Sequence, residues 1–378
     1  MEGSRMIYLD NAATGGEKPK NVLTAVQAAL QLCANPGRGA HRLAVTCLSG
    51  VQACRAALAK HFDCPDHDRV LFTKNCTEAL NVALFGLLQA GDHVVATCLE
   101  HNSVLRPLYE LKRRGVIEYD VCPLESGEIR PERIASLLRP NTKAVIVTAA
   151  SNVTGYAPNL ASIGKILPKN VLFFCDGAQG GGHLPLKMTE AGIDVLCLAG
   201  HKGLLGIQGS GVLLLSERVQ PKPLLYGGTG SLSYTQAMPD FLPDALEAGT
   251  LNYPAVLSLF EGVNYLTVHQ EEIAERLKRL TAALIRGLKK LPSLRVYSSA
   301  NPCGIVAFSH RKHPSEYLSL LLSQKYDIAT RGGLHCAPLA HKALGTDGDG
   351  LLRVSFGHQN TEREVDALLS ALQAICDE

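Results

Sequence analysis

Three short segments of the 378-residue chain bring together residue types that can do chemistry. Ala199-Gly200-His201-Lys202-Gly203 follows the apolar run Ile193 to Leu198, which projects one lysine from a tight turn at the end of a buried strand. A lysine placed there suits a Schiff-base nucleophile. Cys175-Asp176-Gly177-Ala178-Gln179 ends the preceding apolar run and puts a carboxylate at the same edge. In Lys74-Asn75-Cys76-Thr77-Glu78-Ala79-Leu80-Asn81 a strand breaks into a helix. The free N–H groups and positive dipole end of that helix favour a phosphate, and Thr77 adds a hydroxyl. Singly, each segment has an ordinary reading: a solvated lysine, an Asp-Gly turn, a capped helix start. Together they are what a protein must supply to pyridoxal phosphate: a lysine for the aldehyde carbon, an aspartate opposite the pyridinium nitrogen and a cradle for the phosphate. The ring then acts as the electron sink.

These segments need a scaffold, and the pattern between residues 69 and 216 provides one. Short apolar, β-branched runs at Arg69–Thr73, His93–Thr97, Lys143–Thr148, Val171–Cys175, Ile193–Leu198 and Gly211–Leu215 alternate with helical patterns. This predicts an α/β fold, a mostly parallel central sheet with helices on both faces and the functional residues at strand ends. After Asn252-Tyr253-Pro254 the texture changes, and a hinge is expected near residues 252–262. Ile273, Leu277, Leu280, Leu284, Leu288 and Leu291 then recur at helical spacing. With strands near Gly304–Phe308 and Leu352–Ser355 and a last helix opened by a Thr361/Glu364 capping box, the chain is expected to end in a smaller α+β domain. The expected division is an N-terminal arm (1–15) packing with the small domain, a large cofactor-binding domain (16–255) and a small C-terminal domain (256–378).

Composition agrees with a globular enzyme. Hydrophobic residues make up 46% of the chain, and 37 Lys and Arg balance 35 Asp and Glu, with no run of one sign that would mark a nucleic-acid arm or an acidic tail. No apolar stretch reaches the roughly 18 residues of a membrane span, and Met1–Met6 lacks the apolar core of a signal peptide. A cytoplasmic location is therefore expected, without membrane or nucleic-acid partners. Glu2-Gly3-Ser4-Arg5 reads equally well as a short polar leader or as residues foreign to a natural chain that starts at Met6. The twelve cysteines are scattered singly, many inside apolar runs, with no Cys-x-x-Cys pair and no Cys/His cluster at zinc spacing. Neither a disulfide framework nor a metal site is expected.

Seven segments give a resemblance. Tyr8-Leu9-Asp10-Asn11-Ala12-Ala13-Thr14, Glu100-His101-Asn102, Ser151-Asn152-Val153-Thr154-Gly155, Asp176-Gly177-Ala178-Gln179, Gly200-His201-Lys202, Glu247-Ala248-Gly249-Thr250 and Arg331-Gly332-Gly333-Leu334-His335-Cys336-Ala337 stand in the order found in cysteine desulfurases. The chain resembles that family along nearly its whole length. It looks like the class V aminotransferase group of fold type I pyridoxal-phosphate transferases. It is most similar to the type II desulfurase and selenocysteine lyase branch, whose cysteine loop reads Arg-x-Gly-His-His-Cys-Ala.

Position by position, the resemblance implies that Lys202 forms the Schiff base and moves the substrate Cα proton, while Asp176 pairs with the ring nitrogen. Gln179 would bond the phenolic oxygen, and His101 would stack on the ring as a catalytic group. Cys76, through its N–H, Thr77 and His201 would hold the phosphate, with Thr250 reaching the phosphate of a neighbouring subunit. Asn152, also counted with the cofactor residues, and Arg353 match residues that fix the substrate carboxylate, a task that suits a guanidinium fork. Arg331, in the cysteine loop, is counted with them as a substrate-binding residue. Cys336 lies beside His335 in a Gly-rich loop that also carries Arg331, and not in a core run, a charged setting expected to favour the thiolate. The implied reaction converts L-cysteine to L-alanine and leaves the sulfur as a persulfide on Cys336, for iron–sulfur assembly or other sulfur traffic.

The same resemblance implies a homodimer and a sulfur acceptor that is a protein or a small thiol. Two residues depart from the family pattern. Ala199 stands where relatives often carry a phosphate-binding Ser or Thr, and Leu334 replaces the first histidine of the cysteine loop. Competing readings are a selenocysteine lyase, another class V activity, and a cofactor-binding scaffold without catalysis.

Overall fold

The structure, a computed structural model, describes residues 6–32, 34–37 and 39–377; the leader Glu2–Arg5 lies outside them. In chain order it opens with β1 (Ile7–Tyr8), α1 (Lys20–Leu30), α2 (Arg42–Phe62), β2 (Val70–Thr73) and α3 (Cys76–Leu87). Strands and helices then alternate through β3 (Asp92–Thr97), α4 (Asn102–Arg113), β4 (Ile117–Cys122), α5 (Pro131–Leu137), β5 (Thr142–Thr148), α6 (Leu160–Ile166), β6 (Leu172–Asp176), α7 (Met188–Ala191), β7 (Val195–Ala199) and β8 (Gly211–Leu215). The long α8 (Tyr253–Leu288) leads into β9 (Leu294–Val296), β10 (Ile305–His310), α9 (Ser315–Tyr326) and β11 (Ile328–Ala329). Last come α10 (Pro338–Leu344), β12 (Leu352–Ser355) and α11 (Glu362–Asp377).

Two compact units are formed. The larger comprises Lys18–Ala149 and Pro158–Val268. Its seven strands run in the order β2-β8-β7-β6-β5-β3-β4, all parallel except β8, which is antiparallel to both neighbours. Every residue of β6, β7 and β8 is buried. Strands covered on both faces need apolar side chains at every position, so their sequences read as continuous runs without alternation. The parallel strands β3, β5, β6 and β7 all end at one edge of the sheet, where an open α/β sheet places its ligand. In this sheet one strand lies outside the expected runs: β4, Ile117-Glu118-Tyr119-Asp120-Val121-Cys122, is an edge strand whose middle residues are partly solvated. Its charges hide it from a search for apolar runs.

The smaller unit comprises the described parts of Met1–Glu17 and His269–Glu378, with Ala150–Ala157. In its three-stranded sheet β10 lies antiparallel between β12 and β9, and β1 pairs in parallel with β11. At the start of α11, Glu364 accepts the Thr361 N–H at 2.8 Å, one half of the expected capping box; the Thr361 hydroxyl also turns to Glu364. The expected hinge at 252–262 falls instead on the first turns of the unbroken α8. Asn252 Oδ1 accepts the Ala255 N–H at 3.3 Å and Pro254 sits in the first turn, so Asn252-Tyr253-Pro254 is a helix start. The boundary between units, Val268/His269, lies further along the same helix.

Candidate active site

In the larger unit the sheet edge collects the residues expected to hold a cofactor. Asn75 caps α3, its Oδ1 accepting the Glu78 N–H at 2.9 Å, and the Glu78 carboxylate reaches back to the Lys74 N–H. This leaves the N–H groups of Cys76 and Thr77 without acceptors among the described residues. The Thr77 hydroxyl meets the Ser103 hydroxyl at 2.8 Å, and that hydroxyl meets His101 Nδ1, also at 2.8 Å. His101 caps α4 by accepting the Ser103 N–H on Nδ1 at 3.0 Å. In the neutral ring the proton therefore sits on Nε2. Ser103, absent from the sequence-derived set, ties the two helix starts together.

Asp176 ends β6 almost fully buried. Its Oδ1 accepts the Ala178 N–H at 2.9 Å and the Cys76 thiol at 3.5 Å, and no cation pairs with it among the described residues. A buried carboxylate lacking a cation is a complement for a cationic ring nitrogen, and with the open start of α3 it fits pyridoxal phosphate. The Cys76 thiol is pushed well up by burial and then by the charge of Asp176, so only its backbone is suited to phosphate. The charge on Lys202 also acts on Cys76, which brings the ends of β6 and β7 and the start of α3 into one site. Gln179 is buried after β6, and its carbonyl meets His183 Nδ1 at 3.0 Å.

Lys18, which no spacing signal marks, donates from Nζ to the His201 carbonyl at 3.0 Å. Burial lowers this lysine to about 8. His201 itself is lowered to about 4, by burial first and then by Lys202 and Lys18, so its ring is neutral at physiological pH. Gly200 is required at the turn, since a Cβ there would lie 2.2 Å from Ser210 Oγ.

Thr250 is exposed, its hydroxyl accepting from Asn35 Nδ2 at 3.3 Å. The segment carrying it is anchored by Glu247, which forms a two-pronged pair with Arg55, Nη1 to Oε1 at 2.9 Å, and accepts the Phe72 N–H at 2.6 Å. Both side chains are buried, and the guanidinium lies 4.7 Å from the centre of the Phe72 ring. Removing one member of a buried pair strands the other charge. Glu247→Ala is expected to lower unfolding free energy by about 3–5 kcal/mol, read from the urea midpoint, with most of the loss recovered when Arg55 is also replaced by Met.

The smaller unit holds the other expected residues. Arg353 is 1% exposed, donating from Nη1 to the Asn152 carbonyl and from Nη2 to Asp10 Oδ1, each at 2.9 Å. Its fork is thus partly committed to Asp10, a residue of the first motif that the sequence reading gave no role. Nε is buried with no acceptor among the described residues and remains to offer an anion. Arg331 and Arg353 pair through their backbones.

Cys336 is exposed, whereas the other described cysteines are buried or half-buried. His335 and Cys336 have φ of 49° and 56°, two consecutive side-chain-bearing residues in the left-handed region, costing about 1–3 kcal/mol each. The turn is held by Asn152 Nδ2 donating to the His335 carbonyl at 2.7 Å, by the Ala337 N–H on the Leu334 carbonyl at 2.9 Å, and by the His335 ring against the Leu351 carbonyl at 2.9 Å. Gly332 admits the start of α9, where a Cβ would meet the Ser315 carbonyl at 2.4 Å. The structure corrects one expectation about this loop. His335 turns its ring inward, and burial, followed by the charge of Arg353, takes it down to about 2. As a neutral buried ring it supplies no positive charge to Cys336.

The chain also has relatives. The class-V aminotransferase family profile matches residues 7–368. A probable cysteine desulfurase of Methanothermobacter thermautotrophicus is 31% identical, over 98% of this chain and 94% of its own. Cysteine desulfurase CsdA of Escherichia coli is 31% identical over 97% and 93%. Among solved structures, the apo cysteine desulfurase of Thermococcus onnurineus superposes with a TM-score of 0.90 at 28% identity, covering 98% of this chain and 95% of its own. The S-sulfonic acid form of CsdA superposes at 0.88. With its sheet order, its buried aspartate and lysine turn at one sheet edge and this full-length similarity, the chain belongs to the cysteine desulfurase family of the class-V aminotransferase group.

Proposed function

We propose that this protein is a cysteine desulfurase: it converts L-cysteine to L-alanine and takes the sulfur onto Cys336. Enzymes of this family depend on pyridoxal phosphate, which when bound withdraws the electrons released at the substrate α-carbon. The N–H groups of Cys76 and Thr77, the Thr77 hydroxyl and His201 are proposed to hold its phosphate, Asp176 to keep its ring nitrogen protonated, Gln179 to bond its phenolic oxygen and His101 to lie against its face. Lys202 attaches it, then takes the Cα proton and returns one to the product. Asn152 and Arg353, with Arg331 bridged to Arg353 through the backbone, orient the substrate carboxylate. The Cys336 thiolate attacks the substrate sulfur; an S–S bond forms as the C–S bond breaks, and the electron pair of the broken bond passes to the substrate carbon, which is protonated to alanine. The persulfide then passes to a protein or small-thiol acceptor.

The observation that carries this reading is the exposure of Cys336 on a left-handed turn held from several sides, which an aminotransferase or a scaffold has no use for. The purified protein is incubated separately with cysteine, selenocysteine and cystine while alanine, pyruvate and reduced sulfur or selenium are measured. Alanine from cysteine at one equivalent per sulfur supports the proposal. Alanine from selenocysteine alone would make the protein a lyase.

We further propose a homodimer. A cavity of about 440 Å³ lined by Thr250, Glu247, Lys74 and Leu225 lies in the larger unit, and Leu225, Tyr226, Leu232 and Tyr234 expose apolar surface of the kind a second copy covers. Thr250→Val is expected to weaken pyridoxal-phosphate retention by about tenfold while leaving the unfolding midpoint unchanged, one lost hydrogen bond to a charged group. Because Ala199 supplies no hydroxyl, the loss of this one should be plainly measurable. A fully active monomer at micromolar concentration in light scattering would refute the dimer.

A further inference from the structure

Glu100 has so far no role. It follows β3 and precedes His101, and it is fully buried. Its Oε1 accepts the Thr97 hydroxyl at 2.6 Å and the Thr148 N–H at 2.9 Å, so one oxygen ties the end of β3 to the end of β5. Thr148 and Ala149 in turn donate to the Asp176 carbonyl, at 3.3 and 2.8 Å. The second oxygen, Oε2, is buried, and among the described residues it has no hydrogen-bond partner and Glu100 no ion-pair partner. The titratable groups acting on or acted on by it are Asp176 and Cys175 from β6 and Cys98 just past β3, none of which is a cation.

We propose that Glu100 is a positioning residue, a carboxyl held in its neutral form that locks the strand ends bearing His101 and Asp176 and leaves Asp176 as the ionised carboxylate presented to the cofactor. The inference rests on the reading of this edge as a pyridoxal-phosphate site. An ionised carboxylate that is fully buried, with one oxygen unpartnered and no paired cation, is penalised so heavily that it takes up a proton instead. Burial, with the Asp176 charge adding to it and the Thr97 and Thr148 hydrogen bonds opposing, moves the group from its ordinary 4.5 to about 8. A second negative charge beside Asp176 would compete with it for the ring nitrogen, and the neutral acid avoids this while keeping both acceptor contacts. The sign for stability follows. Between pH 4.5 and about 8 the unfolded chain ionises Glu100 while the folded protein does not, so the stability present at low pH is lost as pH rises through that window.

The test uses the purified protein with and without added pyridoxal phosphate. In the wild type, infrared spectroscopy should show a protonated carboxyl stretch at pH 7 that disappears above pH 8, and Glu100→Gln should lack it. Glu100→Gln copies the neutral acid, so it should keep cofactor affinity at pH 7 and gain melting temperature over the wild type progressively from pH 4.5 to 8. Glu100→Ala loses the lock and should bind the cofactor about tenfold more weakly. A wild type with no protonated carboxyl at pH 7, or a Gln variant as impaired as the Ala variant, would overturn the proposal, as would an Ala variant equal to the wild type. Should none of the three proteins bind pyridoxal phosphate, the reading of the site fails, while the infrared band and the melting series still decide whether Glu100 is neutral.

Discussion

Lys202→Ala is expected to abolish alanine formation, by roughly 10⁴-fold or more, and with it the visible, borohydride-sensitive absorbance of the protein given pyridoxal phosphate. The magnitude reflects two functions lost in one side chain: attachment of the cofactor and transfer of the Cα proton. No neighbour can substitute. Lys18 is held on the His201 carbonyl, and Lys74 is a solvated side chain paired with Glu78. The fold should survive, because the lysine follows β7 in a turn kept by Gly200 and Ser210. The measurements are a spectral titration with pyridoxal phosphate and an alanine assay, beside a thermal melt of the cofactor-free protein. A variant that melts like the wild type, retains the band and turns over cysteine would remove Lys202 from the proposed chemistry. Asp176 gives a graded contrast, since its loss leaves attachment possible while weakening the electron sink.

The sequence exposes this half of the site because buried parallel strands advertise themselves. β6 and β7 are unbroken apolar runs, and a run that stops at Asp176 or turns at Gly200-His201-Lys202 locates the sheet edge to within two residues. Long-range polar pairing has no such signal. Arg55 and Glu247 are 192 positions apart, and Asp10 and Arg353 are 343 apart, so nothing local says that either arginine is buried or which carboxylate meets it. The same holds for Glu100, whose charge predicts a surface residue until the strand ends close over it. His335 departs from expectation for a different reason. Adjacency in sequence makes it an electrostatic neighbour of Cys336, but on the left-handed turn the ring is buried while the thiol is exposed. β4 was overlooked because an edge strand tolerates Glu118 and Asp120 where a central one would not.

Cys336→Ser is expected to separate sulfur transfer from the rest of the chemistry. Serine preserves the size and the hydrogen-bonding capacity of the side chain, so the strained turn, held by Asn152, Leu351 and the Leu334 carbonyl, should form as before. Pyridoxal-phosphate binding and the spectral change on adding cysteine should therefore persist. Alanine formation should fall by more than about 10²-fold, because a hydroxyl at neutral pH cannot replace a thiolate as the sulfur acceptor, and His335, lowered to about 2 and turned onto the Leu351 carbonyl, is too weak a base to activate it. Selenocysteine turnover should be affected less, since selenium leaves without a protein nucleophile more readily than sulfur. The direct measurement is intact mass after a brief exposure to cysteine. The wild type should gain one reductant-labile sulfur, mapped by peptide analysis to Cys336, and the variant should gain none. The remaining described cysteines offer little alternative: nine are buried, and the half-buried Cys376 has its thiol raised by burial. Sulfur found on any of them, or alanine made by the serine variant at the wild-type rate, would show that the persulfide is carried elsewhere and that the exposed turn at Cys336 serves another purpose.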